Sequence, residues 1–360
     1  MIVRGVKIPI SLLITFFVSS TIFFGYYILF HPMKLQLLYQ SWDGPLYVVV
    51  ARSFYDPKLT ELVNTVGLPN NYFANCFPLY PLFIKLFSFT GYWRASILVT
   101  QLFTLAFVIA IYNFIKKVYP KEKLNWIALP LIFFPARWFS ITHIGSSEPL
   151  FLLLVTISLI SLSKKAYFQS AVFLALAQIT RHAAIWFFMG IMAYLLFAWL
   201  SKKLTFKKAF RIGAPYLLVP LALICVNLFF YLRYQDTSIW FANVQKASYF
   251  QLIPYHIFSL NSGVIWRESL VFDYLLYLGG VLILFKEKKY IFAFLLLFNV
   301  LPLIFLVQED LSRIALSGLP LLYLAYHKII ANKTFQLALL LLVPAIYLYS
   351  FQFLNYNISP

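Results

Sequence analysis

The chain has 360 residues, of which 62% are hydrophobic and 11% charged, and its mean hydropathy is +0.83. A soluble domain is about half apolar and a quarter charged, so this composition excludes a soluble protein and indicates a polytopic membrane protein. The net charge of +18 would suggest nucleic acid in a soluble protein. Here Lys and Arg fall in short clusters between apolar segments, as the positive-inside rule demands, so we expect membrane lipids and no nucleic acid as partners.

The apolar segments predict an all-α fold with eleven membrane-spanning helices. Arg4 and Lys7 precede the first segment, which predicts a cytoplasmic N-terminus and, after eleven crossings, an outer C-terminus. No linker separates the segments, so we expect one membrane domain over residues 1–360. The predicted spans are 8–30, 95–115, 124–141, 147–163, 166–182, 184–200, 212–232, 269–285, 290–307, 314–327 and 334–351.

Two long outer segments, 31–94 and 233–268, are expected to cover a site on the outer face. Within the first, apolar residues from Leu46 to Phe54 recur at helical spacing and predict a short helix in the membrane interface. Residues 77–83 are aromatic, broken by prolines and too short to span, so they are read as re-entrant or interfacial.

The acidic residues separate by side more sharply than the basic ones. In this topology all of them except Glu122 and Glu287 lie outside. Orientation is fixed by Lys and Arg alone, so the distribution of acids is a separate observation. It places the expected charged chemistry on the outer face.

Asp43 is the first candidate, in the stretch Ser41-Trp42-Asp43-Gly44-Pro45-Leu46-Tyr47 directly after the first span. An Asp before a Gly-Pro helix start is a favoured N-cap. A carboxylate at the membrane edge can also accept a proton from a hydroxyl group. The two roles are compatible.

Glu148 opens the span that follows Ser146 and Ser147. A carboxylate at a helix N-terminus is stabilised by the macrodipole, which would explain the residue structurally. The neighbouring hydroxyls are suited to holding a polar ligand, so a functional interpretation stays open.

Arginines at the ends of apolar segments are the remaining candidates. Arg181, with His182 beside it, ends one segment, and an Arg there must snorkel, pair or bind an anion. Arg also binds phosphate through two N–H donors. Arg313 begins another segment, beside the acidic pair Glu309-Asp310 that could neutralise it, and Arg137 is a weaker candidate of the same kind.

Several blocks together resemble the PIG-V-like mannosyltransferases, a family of the GT-C class of multi-spanning glycosyltransferases. The stretch 41–47 looks like the Trp-Asp motif of that family. The later similar blocks occur in the same order and extend the resemblance over about residues 41–326: Phe77-Pro78-Leu79-Tyr80-Pro81-Leu82, Ser146-Ser147-Glu148-Pro149-Leu150-Phe151, Thr180-Arg181 and Ser312-Arg313-Ile314.

The resemblance implies an inverting transfer of a sugar, mannose in that family, from a polyprenyl- or dolichyl-phosphate donor to a lipid- or glycan-linked acceptor hydroxyl. It implies that Asp43 is the catalytic base, on the extracytoplasmic or lumenal face. The implied reaction requires no cofactor, and whether a divalent metal takes part in it is left open. Expected donor-phosphate ligands are Arg181, Arg313 and His182, and expected substrate contacts are Trp42, Tyr47, Ser146, Ser147 and Glu148.

Two other classes fit a polytopic membrane protein. A transporter or lipid flippase with an outward-facing polar pocket should carry ionisable residues near mid-membrane, along a path. Here they cluster at one face, which favours the enzyme. A non-catalytic subunit of a cell-envelope complex that keeps the fold is the third alternative.

Overall fold

The computed structural model describes residues 9–30, 35–121, 124, 127–236, 250–259, 264–308 and 310–356. These residues form α-helices and short 3₁₀ turns, with one isolated bridge between Phe250 and Leu306 and no β-sheet among them. The all-α prediction is therefore confirmed. Arg4, Lys7 and Glu309 lie outside the described residues, as do 237–249 and 260–263 of the second outer segment.

The first nine helices precede residue 164. They are α1 (Ile10–Phe30), α2 (Leu35–Gln40), α3 (Gly44–Ser53), α4 (Pro57–Val63), α5 (Leu79–Leu86), α6 (Tyr92–Val118), α7 (Ala128–Phe133), α8 (Ala136–Ile141) and α9 (Glu148–Ser163).

Ten further helices complete the described chain. They are α10 (Tyr167–Gln178), α11 (Ala184–Leu200), α12 (Phe206–Gly213), α13 (Leu218–Tyr234), α14 (Val264–Lys286), α15 (Tyr290–Phe305), α16 (Leu311–Ala315), α17 (Leu319–Ala325), α18 (His327–Ile330) and α19 (Lys333–Tyr356).

Five stretches of the described chain are helical, long and apolar enough to cross a membrane, as expected of a multi-pass membrane protein. They are Ile10–Phe30, Tyr92–Val118, Phe206–Tyr234, Glu268–Lys286 and Lys333–Asn355, and each overlaps a predicted span. The helices in most of the other predicted spans are shorter, such as the 16-residue α9. The total of eleven spans stays a prediction.

The segment 124–141 differs most from its predicted single span. It contains two six-residue helices, α7 and α8, separated by Phe134 and Pro135. Proline lacks a backbone N–H and disfavours helical geometry in the residue before it, which explains why α7 ends there.

The described contacts divide the chain into two compact units. The first comprises residues up to Thr156 together with His327–Pro360, and α9 carries the chain into the second. In the first unit, aromatic side chains of α1, α8 and α19 meet in a buried cluster that includes Phe23, Phe139 and Tyr347. The Tyr347 hydroxyl donates a hydrogen bond to the backbone oxygen of Ser19, 2.8 Å away.

The second unit comprises Ile157–Tyr326. A buried hydroxyl chain links α9, α10 and the 3₁₀ turn Ala214–Leu217, and in it Tyr216 of the turn donates to Ser170 of α10 at 2.9 Å. Ser170 is in turn 2.9 Å from the hydroxyl of Ser158. Because buried hydroxyls without partners are costly in an apolar environment, this chain fixes the packing of these helices.

Helix α3, predicted as an interfacial helix, is buried among other helices, and its position relative to the membrane interface stays a prediction. All its residues except Arg52 are buried, and it packs against α4, α5 and α6. The run Val48-Val49-Val50 makes the helix apolar on every side, which is the pattern of a buried helix. β-Branched residues are weak helix formers, so packing rather than intrinsic propensity stabilises α3.

Candidate functional site around Asp43

Asp43 lies in a tight turn that leads into α3. The backbone N–H of Gly44 donates to the oxygen of Ser41 at 3.2 Å, and Trp42 between them has the left-handed φ of 50°. Such a conformation is uncommon outside glycine and costs on the order of 1 kcal/mol or more. Backbone strain of this kind clusters at functional sites, which marks the turn as a candidate site.

The position of Asp43 corrects the expected capping role. Asp43 occupies the N-cap position of α3, but among the described residues its side chain makes no capping hydrogen bond. The helix begins because Pro45 in its first turn presets a helical φ. The carboxylate is partly exposed and is not committed to the backbone of α3.

Two glycines bring the Asp43 turn against the turn that precedes α9. A Cβ atom on Gly145 would lie 3.3 Å from the Cα of Gly44 and 3.0 Å from the hydroxyl oxygen of Ser96. Only a residue without a side chain allows the two backbones to approach this closely. The Trp-Asp block and the Ser-Ser-Glu block, far apart in sequence, are therefore neighbours.

Hydrogen bonds between side chains reinforce this junction. The hydroxyls of Tyr47 on α3 and Ser147 lie 2.8 Å apart. Ser146 donates its hydroxyl to Glu148 and its backbone N–H to the hydroxyl of Thr100 at 3.0 Å. Tyr47, Ser146, Ser147 and Glu148 are all buried, Glu148 with 3% of its surface exposed. They form a buried layer that positions the Asp43 turn, and their predicted substrate contacts stay predictions.

Tyr80 supports the same layer from α5. Its ring packs edge-on against Tyr47 with 4.9 Å between centroids, and its hydroxyl lies 2.8 Å from that of Thr100. Burial raises the pKa of Tyr80 above its ordinary value. Tyr80 is therefore a neutral hydrogen-bonding group that links α5 and α6 to the site.

Arg137 adds a cation beside Asp43 that the sequence had suggested only weakly. Its guanidinium carbon lies 4.5 Å from the ring centroid of Trp42 and 3.8 Å from that of Phe353. One of its nitrogens donates to the hydroxyl of Tyr349 at 3.3 Å. The planar cation packs against two aromatic rings that also contact each other edge-to-face, and one of them belongs to the residue that precedes Asp43.

His143 lies in the turn next to Gly145 and is enclosed by aromatic rings. Its ring is 4.1 Å from that of Phe23 and 4.5 Å from that of Phe139, and Nδ1 lies 2.8 Å from the backbone oxygen of Phe139. Nε2 has no hydrogen-bond partner among the described residues. Burial lowers the pKa of His143 to about 4, so the ring is neutral and donates from Nδ1.

The predicted phosphate ligands lie in the second unit. Arg181 and His182 occupy the turn between α10 and α11, and both are partly exposed. Arg313 in α16 is 8% exposed and forms an ion pair of 3.7 Å with Asp310, which confirms the local pairing anticipated for it. Beside it, Ser312 donates to Asp273 at 2.5 Å. The shared site of these residues with Asp43 stays a prediction.

Within the described residues, no group of three or more His, Cys, Asp or Glu side chains is arranged to hold a metal ion. The candidate site thus consists of the partly exposed carboxylate of Asp43, the stacked guanidinium of Arg137 and the buried hydroxyl layer. No protein-family model matches the chain, and no curated protein matches it significantly.

Proposed function

We propose that this chain is an integral-membrane glycosyltransferase of the GT-C type, most like a PIG-V mannosyltransferase. It transfers a sugar, in our proposal mannose, from a polyprenyl- or dolichyl-phosphate donor to a lipid- or glycan-linked acceptor. The site faces the extracytoplasmic or lumenal side. This proposal starts from the sequence resemblance, and the geometry around Asp43 supports it.

The observation that carries the proposal is that Asp43 directly follows Trp42, whose ring stacks with the guanidinium of Arg137. The side chain of Asp43 is partly exposed and is not used for capping. The preceding residue, Trp42, lies under the guanidinium of Arg137. A carboxylate thus follows directly on the residue that holds a cation, and transfer from a phosphate donor uses both kinds of group.

In the proposed reaction the acceptor hydroxyl oxygen attacks the anomeric carbon of the donor sugar. The bond from that carbon to the phosphate oxygen breaks, and the lipid phosphate leaves with inversion at the sugar. Asp43 takes the hydroxyl proton, and Arg137 stabilises the negative charge that develops on the leaving phosphate. Arg181, His182 and Arg313 are retained as proposed ligands of the same phosphate.

Trp42 has a second role in this scheme. Its ring fixes the orientation of the Arg137 guanidinium, so less side-chain freedom is lost when the phosphate binds. Its remaining face offers an apolar surface for a sugar ring or a lipid chain.

The test uses the purified full-length chain in liposomes with radiolabelled polyprenyl-phosphate mannose. We expect release of the label from the lipid, and a 10²–10⁴-fold lower rate for Asp43→Asn, as for loss of a general base. Asp56→Asn is the matched control, since Asp56 caps the nearby α4 and should retain the wild-type rate. Release no faster than from protein-free liposomes would refute the proposal, and movement of intact donor between leaflets would indicate a flippase.

A further inference from the structure

A groove in the second unit lies between α11 and α12, at the end of the molecule where the sequence predicts the cytoplasmic face. It encloses a cavity of about 250 Å³. Every lining residue is apolar, including Met192, Leu195 and Trp199 of α11 and Phe206 and Phe210 of α12. Small-molecule sites enclose roughly 300–1,000 Å³, so this cavity is suited to a segment of one hydrocarbon chain.

Helix α12 separates apolar from basic residues by face. The groove-lining residues recur at helical spacing, and the basic residues occupy the opposite face, where all are exposed. The lining set is Phe206, Ala209, Phe210 and Gly213, and the basic set is Lys207, Lys208 and Arg211. A short helix of this kind lies at a membrane surface, with its apolar face toward the acyl chains and its cations toward the headgroups.

The rim of the groove is also apolar and open. Phe206 and Phe210 are 63% and 65% exposed, and Leu196 on the facing helix is 53% exposed. Thr205 begins α12 by accepting the backbone N–H of Lys208 at 3.4 Å. The apolar and basic faces lie on opposite sides of this one helix, which is about 10 Å across, so an occupant that contacts both carries a hydrocarbon chain and a negative charge within about that distance.

We infer that this groove is a binding site for an anionic phospholipid, with one acyl chain in the cavity and the headgroup phosphate at the basic face of α12. Anionic lipids are concentrated in cytoplasmic leaflets, where each Lys or Arg strengthens binding by about fivefold. A second copy seated in the groove would cover only the apolar face of α12. A neutral lipid would leave the three cations without a counter-charge.

The experiment is native mass spectrometry of the full-length protein in detergent, titrated with phosphatidylglycerol or phosphatidylcholine of identical chains. We expect one tightly held phosphatidylglycerol and at least tenfold weaker phosphatidylcholine binding. Lys207→Gln/Lys208→Gln/Arg211→Gln should abolish this preference. The matched control replaces three exposed lysines in other basic turns, Lys164→Gln/Lys165→Gln/Lys288→Gln, and should retain it.

The cavity is tested separately from the charge. Ala209→Leu puts a larger side chain into the groove and should weaken binding of both lipids at least tenfold. Leu196→Trp does the same from the exposed rim, where the larger ring does not strain the interior, and guards against misfolding of the first variant. Wild-type binding by both variants, or equal affinity of the wild type for the two lipids, would refute the site. A dimer that Ala209→Leu dissociates would show that the groove holds a second copy.

Discussion

Replacing Asp43 by Asn or Ala separates catalysis from folding, because the structure assigns the side chain no role in capping α3. Asn has almost the same volume but cannot accept the acceptor proton. The transfer rate should therefore fall by about 10²–10⁴-fold in both variants, the loss expected for a general base. Neither variant removes a capping hydrogen bond of α3, so we expect both to fold with a free energy of unfolding close to that of the wild type.

Asp56 provides the internal standard for that stability estimate. It also precedes a Pro-initiated helix, but one of its carboxylate oxygens accepts the backbone N–H groups of Lys58 at 3.0 Å and Leu59 at 3.3 Å. Asp56→Ala should thus lose about 1 kcal/mol of stability with little change in transfer rate, since a capping side chain is typically worth that much. The two aspartates should show opposite patterns: Asp43 affects rate and Asp56 affects stability.

The assay pairs initial rates of sugar release in liposomes with unfolding curves of the same variants in detergent. If Asp43→Asn transfers sugar at near the wild-type rate, Asp43 is not the base, and Glu148 becomes the next candidate. If Asp43→Ala is destabilised as much as Asp56→Ala, Asp43 caps α3 after all. Either result would contradict the reasoning above.

Arg137→Gln should lower the transfer rate at least tenfold, because the leaving phosphate loses its stabilising cation. Arg137→Lys keeps the charge but loses the planar stacking, so its transfer rate should lie between those of Arg137→Gln and the wild type. Equal transfer rates for Arg137→Gln and the wild type would exclude this role. Lowering the pH from 7 to 5 should destabilise the wild type by about 2 kcal/mol more than His143→Phe, because His143, with a folded pKa of about 4, takes up its proton only on unfolding. Parallel unfolding curves of the two proteins across this pH range would refute that assignment. Gly145→Ala should lose about 1–3 kcal/mol of stability. Gly25→Ala should not, because a Cβ there meets nothing within 4 Å. Equal free energies of unfolding for the two variants would refute the close approach at Gly145.

The sequence predicted the long helices well because their signal is local. Apolar runs near 10–30, 92–118 and 333–355 exceed the thickness of a bilayer as helices, and that length does not depend on distant contacts. The break at Pro135 was also visible in the sequence, but the surrounding apolar residues were read as one span. The apolar composition of 124–141 favours a single span, whereas the proline predicts a break in the helix, and the structure has the break.

The arrangement of the site was less accessible to sequence reasoning. Trp42, Asp43 and Glu148 stand out because polar residues are unusual at the edges of apolar segments. The contact of Gly44 with Gly145 depends on chain pairing that no local pattern contains. Arg137 is only a weak candidate in the sequence for the same reason, since Trp42 and Phe353, whose rings it contacts, are far from it along the chain.

Asp43 and Glu148, the two candidate acids of the first unit, differ in what their surroundings allow them to do. Glu148 is 3% exposed, opens α9 and already accepts the hydroxyl of Ser146. To act as a base it would have to give up that hydrogen bond and open the junction that Ser147 and Tyr47 close. Asp43 is partly exposed, so an acceptor hydroxyl can approach it from outside the buried layer, within the about 3 Å that a base needs. We therefore propose that Glu148 positions the turn and that Asp43 acts as the base.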